Sequence, residues 1–321
     1  MQNCKLIMTV EEMQDRDKWL EMRNGGIGGS DAATIMGLNP WKSALELWME
    51  KTGQREPADL SKNQRVYWGT KNEANIADWF TETTGKKVMR RGMMQNSDYP
   101  FMLASVDREV VGEDAGLEIK TAGVDQAKKW RVDDEGKIVE MPDAYYLQTQ
   151  FYMAVTGCSK WYIAVLIGGN EALWGTVERN EEQIALLIEE AKKFWGMVQN
   201  NIMPDPDGSK GAAIALQEIY PGNGKPDVSI TLDESEASMI LTSLKDLKEE
   251  KEKLEDAIKL RENQIKALMG DYEMAYIGEN KITWKMQAGR TTIDSKKLKK
   301  EMPDVYKKYA KTGKPVRVLR T

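Results

Sequence analysis

The chain has 321 residues, 30% of them charged, a formal net charge of −5, two cysteines and no histidine. Lack of histidine removes Ser-His-Asp and Cys-His catalysis, zinc hydrolase sites and imidazole bases. Cys4 and Cys158 are too few for a disulfide framework or a thiolate metal site, so any hydrolytic chemistry must rest on carboxylates, lysine, tyrosine and metal-bound water.

In chain order, residues 1–203 read as one mixed α/β unit. Hydrophobic periodicity predicts helices over Val10–Arg23, Ser30–Met36, Ala44–Thr52, Lys71–Thr83, Pro142–Thr156 and Glu181–Gln199. Alternation predicts strands over Lys87–Gln95, Phe101–Val111, Gly116–Thr121, Lys160–Ile167 and Ala172–Glu178. Residues 204–226 are rich in Pro, Gly and Asp and read as a linker. The extension 227–321 opens with a heptad seam, Ile240, Leu244, Leu247, Lys251, Leu254, Ile258, Arg261, Ile265 and Leu268. Its alternating spacing of four and three predicts a coiled coil or helical hairpin over 232–269. A β-hairpin is expected within Tyr272–Thr292 and a basic helix over Ser295–Tyr309, together forming a basic module over 270–321. No apolar run reaches membrane-spanning length and no signal-peptide pattern opens the chain, so a cytoplasmic location without membrane contact is expected.

Charge is unevenly spread. Lys281–Thr321 carries thirteen Lys or Arg against three Asp or Glu, a net +10, leaving −15 for the other 280 residues. Trp284, Tyr306 and Tyr309 lie among those cations, as in surfaces that track a phosphate backbone. Trp284, Arg290, Lys296, Lys297, Lys299 and Lys300 are the candidate DNA contacts; a solvated basic tail is the competing reading.

The stretch "ASVDREVVGEDAGLEIKTA" at 104–122 puts both signs of charge on one strand face. Leu117 and Ile119 point one way, Glu118 and Lys120 the other. A hairpin through Gly112–Gly116 would bring Asp107 beside Glu118. Two such carboxylates raise each other's pKa unless a cation lies between them, and hard divalent ions take oxygen ligands of this kind. An ordinary polar hairpin face with an ion pair is the alternative. Two helical stripes add polar residues to apolar faces: Glu73 heads Ile76, Ala77 and Phe80, and Gln148 heads Phe151, Tyr152 and Val155. Taken alone, each polar residue reads more simply as lying at the rim of a core. Together the residues form an ordered set, G-x-x-x-E, D, E-x-K and Q-x-x-x-Y.

That set, Gly69–Glu73, Asp107, Glu118-Ile119-Lys120 and Gln148–Tyr152, resembles the PD-(D/E)XK nuclease superfamily. The opening "WLEMRNGGIGGSDAATIMGLNPWKSALELWMEKTG" resembles its YqaJ-type viral recombinase branch, relatives of the phage lambda exonuclease. The likeness spans about residues 10–200. One departure is "SVDR", where lambda-type relatives often carry proline before the aspartate and glycine after it.

The resemblance implies an α/β fold: a PD-(D/E)XK core, a mixed central β-sheet flanked by helices, to which the heptad seam and the basic pattern add a C-terminal helical or coiled-coil plus small basic α+β extension outside the minimal lambda-type nuclease. It implies a Mg²⁺-dependent exonuclease, with Mn²⁺ able to substitute, that degrades the 5′ strand of linear double-stranded DNA. The 3′ single strand would pass to a phage annealing protein in the bacterial host cytoplasm. By the same resemblance, Asp107, Glu118, the Ile119 carbonyl and Glu73 bind metal, Lys120 orients the attacking water, and Gln148 positions that water or Lys120. Arg23 and Ser30 match the pair that holds the 5′-phosphate in lambda-type relatives, which also form ring trimers, so a homo-oligomer is expected. "RNGGIGGSD" lacks the Gly-Lys-Ser/Thr ending of a P-loop, and its glycines could open a helix N-terminus or simply form a tight entry turn. A Cas4-like nuclease would need four cysteines. An endonuclease of the same superfamily and a non-catalytic recombination scaffold remain the alternatives.

Overall fold

The computed structural model describes residues 1, 3–222, 229–313 and 317–320. The chain divides into two compact units, Met1–Tyr220 and Pro221–Thr321. No helix among the described residues is long and apolar enough to cross a membrane.

The first unit runs β1 (Cys4–Met8), α1 (Arg16–Asn24), β2 (Ile27–Gly28), α2 (Gly29–Ile35), α3 (Ala44–Lys51), α4 (Gln64–Thr84), β3 (Val88–Met89), β4 (Met93–Asn96), β5 (Met102–Ser105), β6 (Arg108–Val110) and β7 (Ala115–Ala122). It continues with β8 (Arg131–Val132), β9 (Lys137–Glu140), α5 (Asp143–Thr156), β10 (Lys160–Ile167), β11 (Glu171–Glu178), α6 (Glu181–Gln199) and α7 (Lys210–Ile219). A mixed sheet of order β3-β6-β7-β10-β11-β9-β8 carries parallel pairs β7/β10 and β11/β9 among antiparallel ones. A smaller sheet has the order β1-β4-β5-β2.

Helices pack on both faces of the central sheet, as a sheet buried on two sides requires. On one face Ile76, Ala77 and Phe80 of α4 meet Leu117 and Ile119 of β7 and Tyr162 of β10. On the other, Phe151, Met153 and Val155 of α5 pack with Trp161, Ile163 and Val165 of β10. Phe80, Leu117 and Phe151 are wholly buried, each contributing about 1.5–3 kcal/mol of transfer free energy. Helix ends follow local chemistry. Ser43 and Glu46 form a capping box at α3, the Asn63 side chain accepts from the Arg65 N–H at α4, and Gly85 and Gly157 end α4 and α5 at φ 73° and 78°.

Several elements differ from the sequence reading. Lys87–Gln95 and Phe101–Val111 each split, so that β3 and β6 belong to the large sheet and β4 and β5 to the small one. Helix α4 starts seven residues before the expected Lys71. The expected linker 204–226 contains α7, whose buried Ala212 and Ala215 pack toward α3, so helix replaces linker there. Small side chains permit that close approach. Residues 223–226 of the linker, and the first positions of the extension at 227 and 228, lie outside the described residues.

The second unit contains α8 (Glu234–Met269), β12 (Met274–Ile277), β13 (Asn280–Thr283), α9 (Ser295–Glu301) and α10 (Pro303–Tyr309). The heptad seam lies on one continuous helix, not a helical hairpin: no glycine or proline interrupts its 36 residues. The strands pair as a hairpin, and Pro303 divides the expected single basic helix in two.

Candidate active site

The centre is the β6–β7 hairpin. Arg108 pairs with Leu117 and Glu109 with Gly116, placing Asp107 at the open end beside Glu118. Asp107 Oδ2 accepts the Ile119 N–H at 2.7 Å. Alternation sends Leu117 and Ile119 into the α4 core, while Glu118 and Lys120 face α5. Lys120 Nζ donates to Glu118 Oε1 and to Gln148 Oε1, the latter at 3.1 Å, and lies 4.8 Å from the Tyr145 ring centre. Gln148 Nε2 donates to Glu118 Oε1 at 2.7 Å and to Tyr152 Oη at 2.9 Å, and that hydroxyl donates to the Ser105 carbonyl at 3.0 Å. Gln148 and Tyr152 are buried at the start of the α5 stripe.

Glu118 is 2% exposed, and its Oε2 is buried without a hydrogen-bond partner. An orphaned buried carboxylate oxygen is costly and invites a cation. Burial pushes the Asp107 carboxyl well above the usual carboxylate range, and the Glu118 charge adds to the effect. Burial raises Glu118 too, against the opposing pull of Lys120. Burial opposes the Lys120 charge, but Glu118 and Asp107 more than offset it and hold the ammonium protonated. This oxygen-rich donor set fits a hard divalent ion.

Glu73 arrives from α4. Its Oε1 accepts from Arg108 Nη1, and Arg90 Nη2 lies 3.8 Å away. Among the described residues no three His, Cys, Asp or Glu side chains converge closely enough to hold a metal ion. Glu73 thus lines the same cleft as Asp107 and Glu118 but is engaged by guanidinium.

The cleft, about 750 Å³ in volume, also holds Arg23 and Ser30. Arg23 Nη2 donates to Ser30 Oγ at 2.6 Å and to Asp31 Oδ1 at 3.0 Å, and the guanidinium rests on the Trp19 ring. Asp31 Oδ2 accepts the Gly28 N–H at 3.0 Å and pairs with Lys51 Nζ at 3.3 Å. Gly29 is required by packing, since a Cβ there would lie 2.4 Å from the Tyr152 ring.

A model of the YqaJ-like viral recombinase domain matches residues 18–159. The uncharacterized protein YqaJ of Bacillus subtilis (strain 168) is 39% identical over 309 residues, which span 95% of this chain and 94% of that protein. The chain belongs to the YqaJ-like viral recombinase family. Among solved structures, an alkaline exonuclease (LHK-Exo) from Laribacter hongkongensis aligns with TM-score 0.46 and 18% identity, over 58% of this chain and 94% of that one. A phage related exonuclease from Haemophilus somnus 129PT aligns with TM-score 0.40 and 14% identity, over 55% and 96%.

In this YqaJ-like chain the structure adds residues the motif pattern does not reveal. Asp31 and Lys51 are buried, at 5% and 3% side-chain exposure, and fix Arg23 from behind. Burial opposes the Asp31 charge, yet Arg23 and Lys51 outweigh it and hold the carboxyl far below its usual range. The only sequence signal was a charged residue on the inward face of α2. Tyr145 was likewise unmarked, and Arg108 stood out only as a departure within "SVDR", with nothing local to name its partner Glu73. The six basic-module candidates, Trp284, Arg290, Lys296, Lys297, Lys299 and Lys300, are all exposed in the second unit, the last four on α9. The parts of that module at 314–316 and 321 lie outside the described residues.

Proposed function

We propose that the chain is a Mg²⁺-dependent exonuclease that digests the 5′ strand of linear double-stranded DNA. The observation that carries the reading is the unpaired, buried Glu118 Oε2 beside Asp107, in the same cleft as the Arg23–Ser30 pair. Asp107 and Glu118 would hold the metal, with Mn²⁺ an acceptable substitute. Bound there, the ion would acidify water and stabilise charge on the leaving oxygen.

The side chains supply the rest. Lys120, kept protonated by its two carboxylates, is a fixed cation toward the scissile phosphate and a donor that orients water. Gln148 locks Glu118 and Lys120 together through both ends of its amide. Arg23 offers a charge-assisted contact to a terminal phosphate, with Ser30 beside it. Water adds to phosphorus and the bond to the 3′ oxygen of the terminal nucleotide breaks, with a proton passing to that oxygen. The products are a 5′-mononucleotide and a shortened strand that again ends in a 5′-phosphate, the group Arg23 receives. Arg16, Arg90 and Arg91 also line the cleft, where they can meet backbone phosphates. The exposed 3′ strand is the substrate an annealing protein requires.

The test is digestion of end-labelled linear duplex beside a closed circle, with Mg²⁺ and with chelator. Mononucleotide release from the linear 5′ strand, only with Mg²⁺, supports the reading. Cutting of the circle would assign an endonuclease, and DNA binding without any cleavage would assign a scaffold.

A further inference from the structure

Arg108 is 6% exposed despite its charge. Its Nη1 donates to Glu73 Oε1 and, at 2.6 Å, to the Asp107 carbonyl. The second contact fixes the guanidinium to the backbone of the hairpin that carries Asp107. Arg90 approaches the same Glu73 oxygen from the exposed side. The charges therefore sort into two groups. Glu73 of α4 faces guanidinium, whereas Asp107 and Glu118 face Lys120 and Gln148. Guanidinium does not lose its proton at any accessible pH, so the charge that faces Glu73 does not titrate away. The lack of any three-carboxylate cluster among the described residues is the same fact seen from the ligand side.

Resting on the metal-dependent reading above, we propose that Arg108 is a built-in cation that withdraws Glu73 from the metal-binding set. The chain then holds one divalent ion per centre, through Asp107 and Glu118. The guanidinium supplies the positive charge on the Glu73 side that a second ion would otherwise bring. Glu73 anchors Arg108 and is a positioning residue, not a ligand.

The experiment is a Mn²⁺ titration of the full chain, with free Mn²⁺ read by electron paramagnetic resonance. It is run with and without a duplex whose terminal linkages are phosphorothioate. The wild type should bind one Mn²⁺ per chain in both conditions. Glu73→Gln should keep that number with affinity changed less than about threefold, whereas Asp107→Asn and Glu118→Gln should each weaken binding about tenfold or more. Arg108→Gln should admit a second Mn²⁺ that disappears again in Arg108→Gln/Glu73→Gln, and Arg108→Lys should restore one. Two ions in the wild type, or weakening by Glu73→Gln as large as by Asp107→Asn, would overturn the proposal. Neither result depends on whether Arg108→Gln folds. Unchanged Mn²⁺ binding in Asp107→Asn and Glu118→Gln is a distinct outcome, which removes the metal reading itself.

Discussion

Asp107 and Ile119 are joined across the β6–β7 hairpin by one hydrogen bond, the Ile119 N–H donating to Asp107 Oδ2 at 2.7 Å. The bond ties the orientation of one carboxylate to the strand that carries Glu118 and Lys120. Asp107→Asn keeps an acceptor for that N–H and removes the charge. It should leave the thermal transition in place and lower strand degradation on the order of 100-fold or more, as loss of a preorganised electrostatic group does. Glu118→Gln and Lys120→Ala should be similarly defective in a rapid-quench assay. Near-wild-type rates in any of the three would take that residue out of the chemistry.

Arg23→Ala should slow digestion of 5′-phosphorylated ends by roughly ten- to a hundredfold, the equivalent of a charged hydrogen bond worth about 1.5–3 kcal/mol. Ends bearing a 5′-hydroxyl should be slowed far less. Side-by-side initial rates on the two duplexes check this, and equal slowing would make Arg23 structural.

Asp31→Asn strands the Lys51 ammonium in the interior, where both side chains are almost wholly buried. Breaking a buried ion pair costs about 3–5 kcal/mol. Urea unfolding at neutral pH should show a loss of that order, against almost none for a substitution of Lys18, whose side chain pairs with Asp15 on the exposed surface.

Glu113 sits among Lys160, Lys86 and the Tyr162 hydroxyl, whose hydrogen bonds hold its carboxyl at about 2, below the ordinary 4.5. A depressed acid contributes stability that is complete above the ordinary value and lost as pH falls through the folded one. Glu113→Gln should therefore melt below the wild type at pH 6, with the gap closing as pH falls from 4.5 toward 2. A gap that widens on acidification would contradict the assignment.

Truncation after Tyr220 removes the second unit and with it the +10 segment, but none of the cleft residues. The shortened chain should still hydrolyse DNA while binding it more weakly. Its binding should also fall less steeply with salt, by about 0.9 in log–log slope for each phosphate that the basic module neutralises in the full chain. An unchanged slope would place the basic module on a protein partner.

Much of the centre could be read from the residues because it is local. Strand alternation put Glu118 and Lys120 on one face, and a short turn returned Asp107 to them. The α5 and α4 stripes oriented Gln148 and Glu73, and β10 and α6 have the bounds their patterns predicted. What could not be read depends on distant partners. Alternation does not reveal where a strand leaves one sheet for another, as between β5 and β6. The segment around α7 looks like a linker because its buried face is alanine, which carries little signal until α3 is in place. Asp31 and Lys51 are ordinary charges in sequence, and only the fold encloses them. Arg108 was visible as a departure in "SVDR", but its partner Glu73 comes from α4 and only the fold supplies it.

The Tyr152 ring lies against Gly29 on one side, while its hydroxyl takes the Gln148 amide proton on the other. One rigid side chain therefore spans from the Arg23–Ser30 loop to the carboxylates, with no rotatable linkage between its ring and its oxygen. The Arg23–Ser30 side of the cleft and the amide that holds Glu118 therefore share one rigid phenol, so a displacement at Gly29 is felt at Gln148.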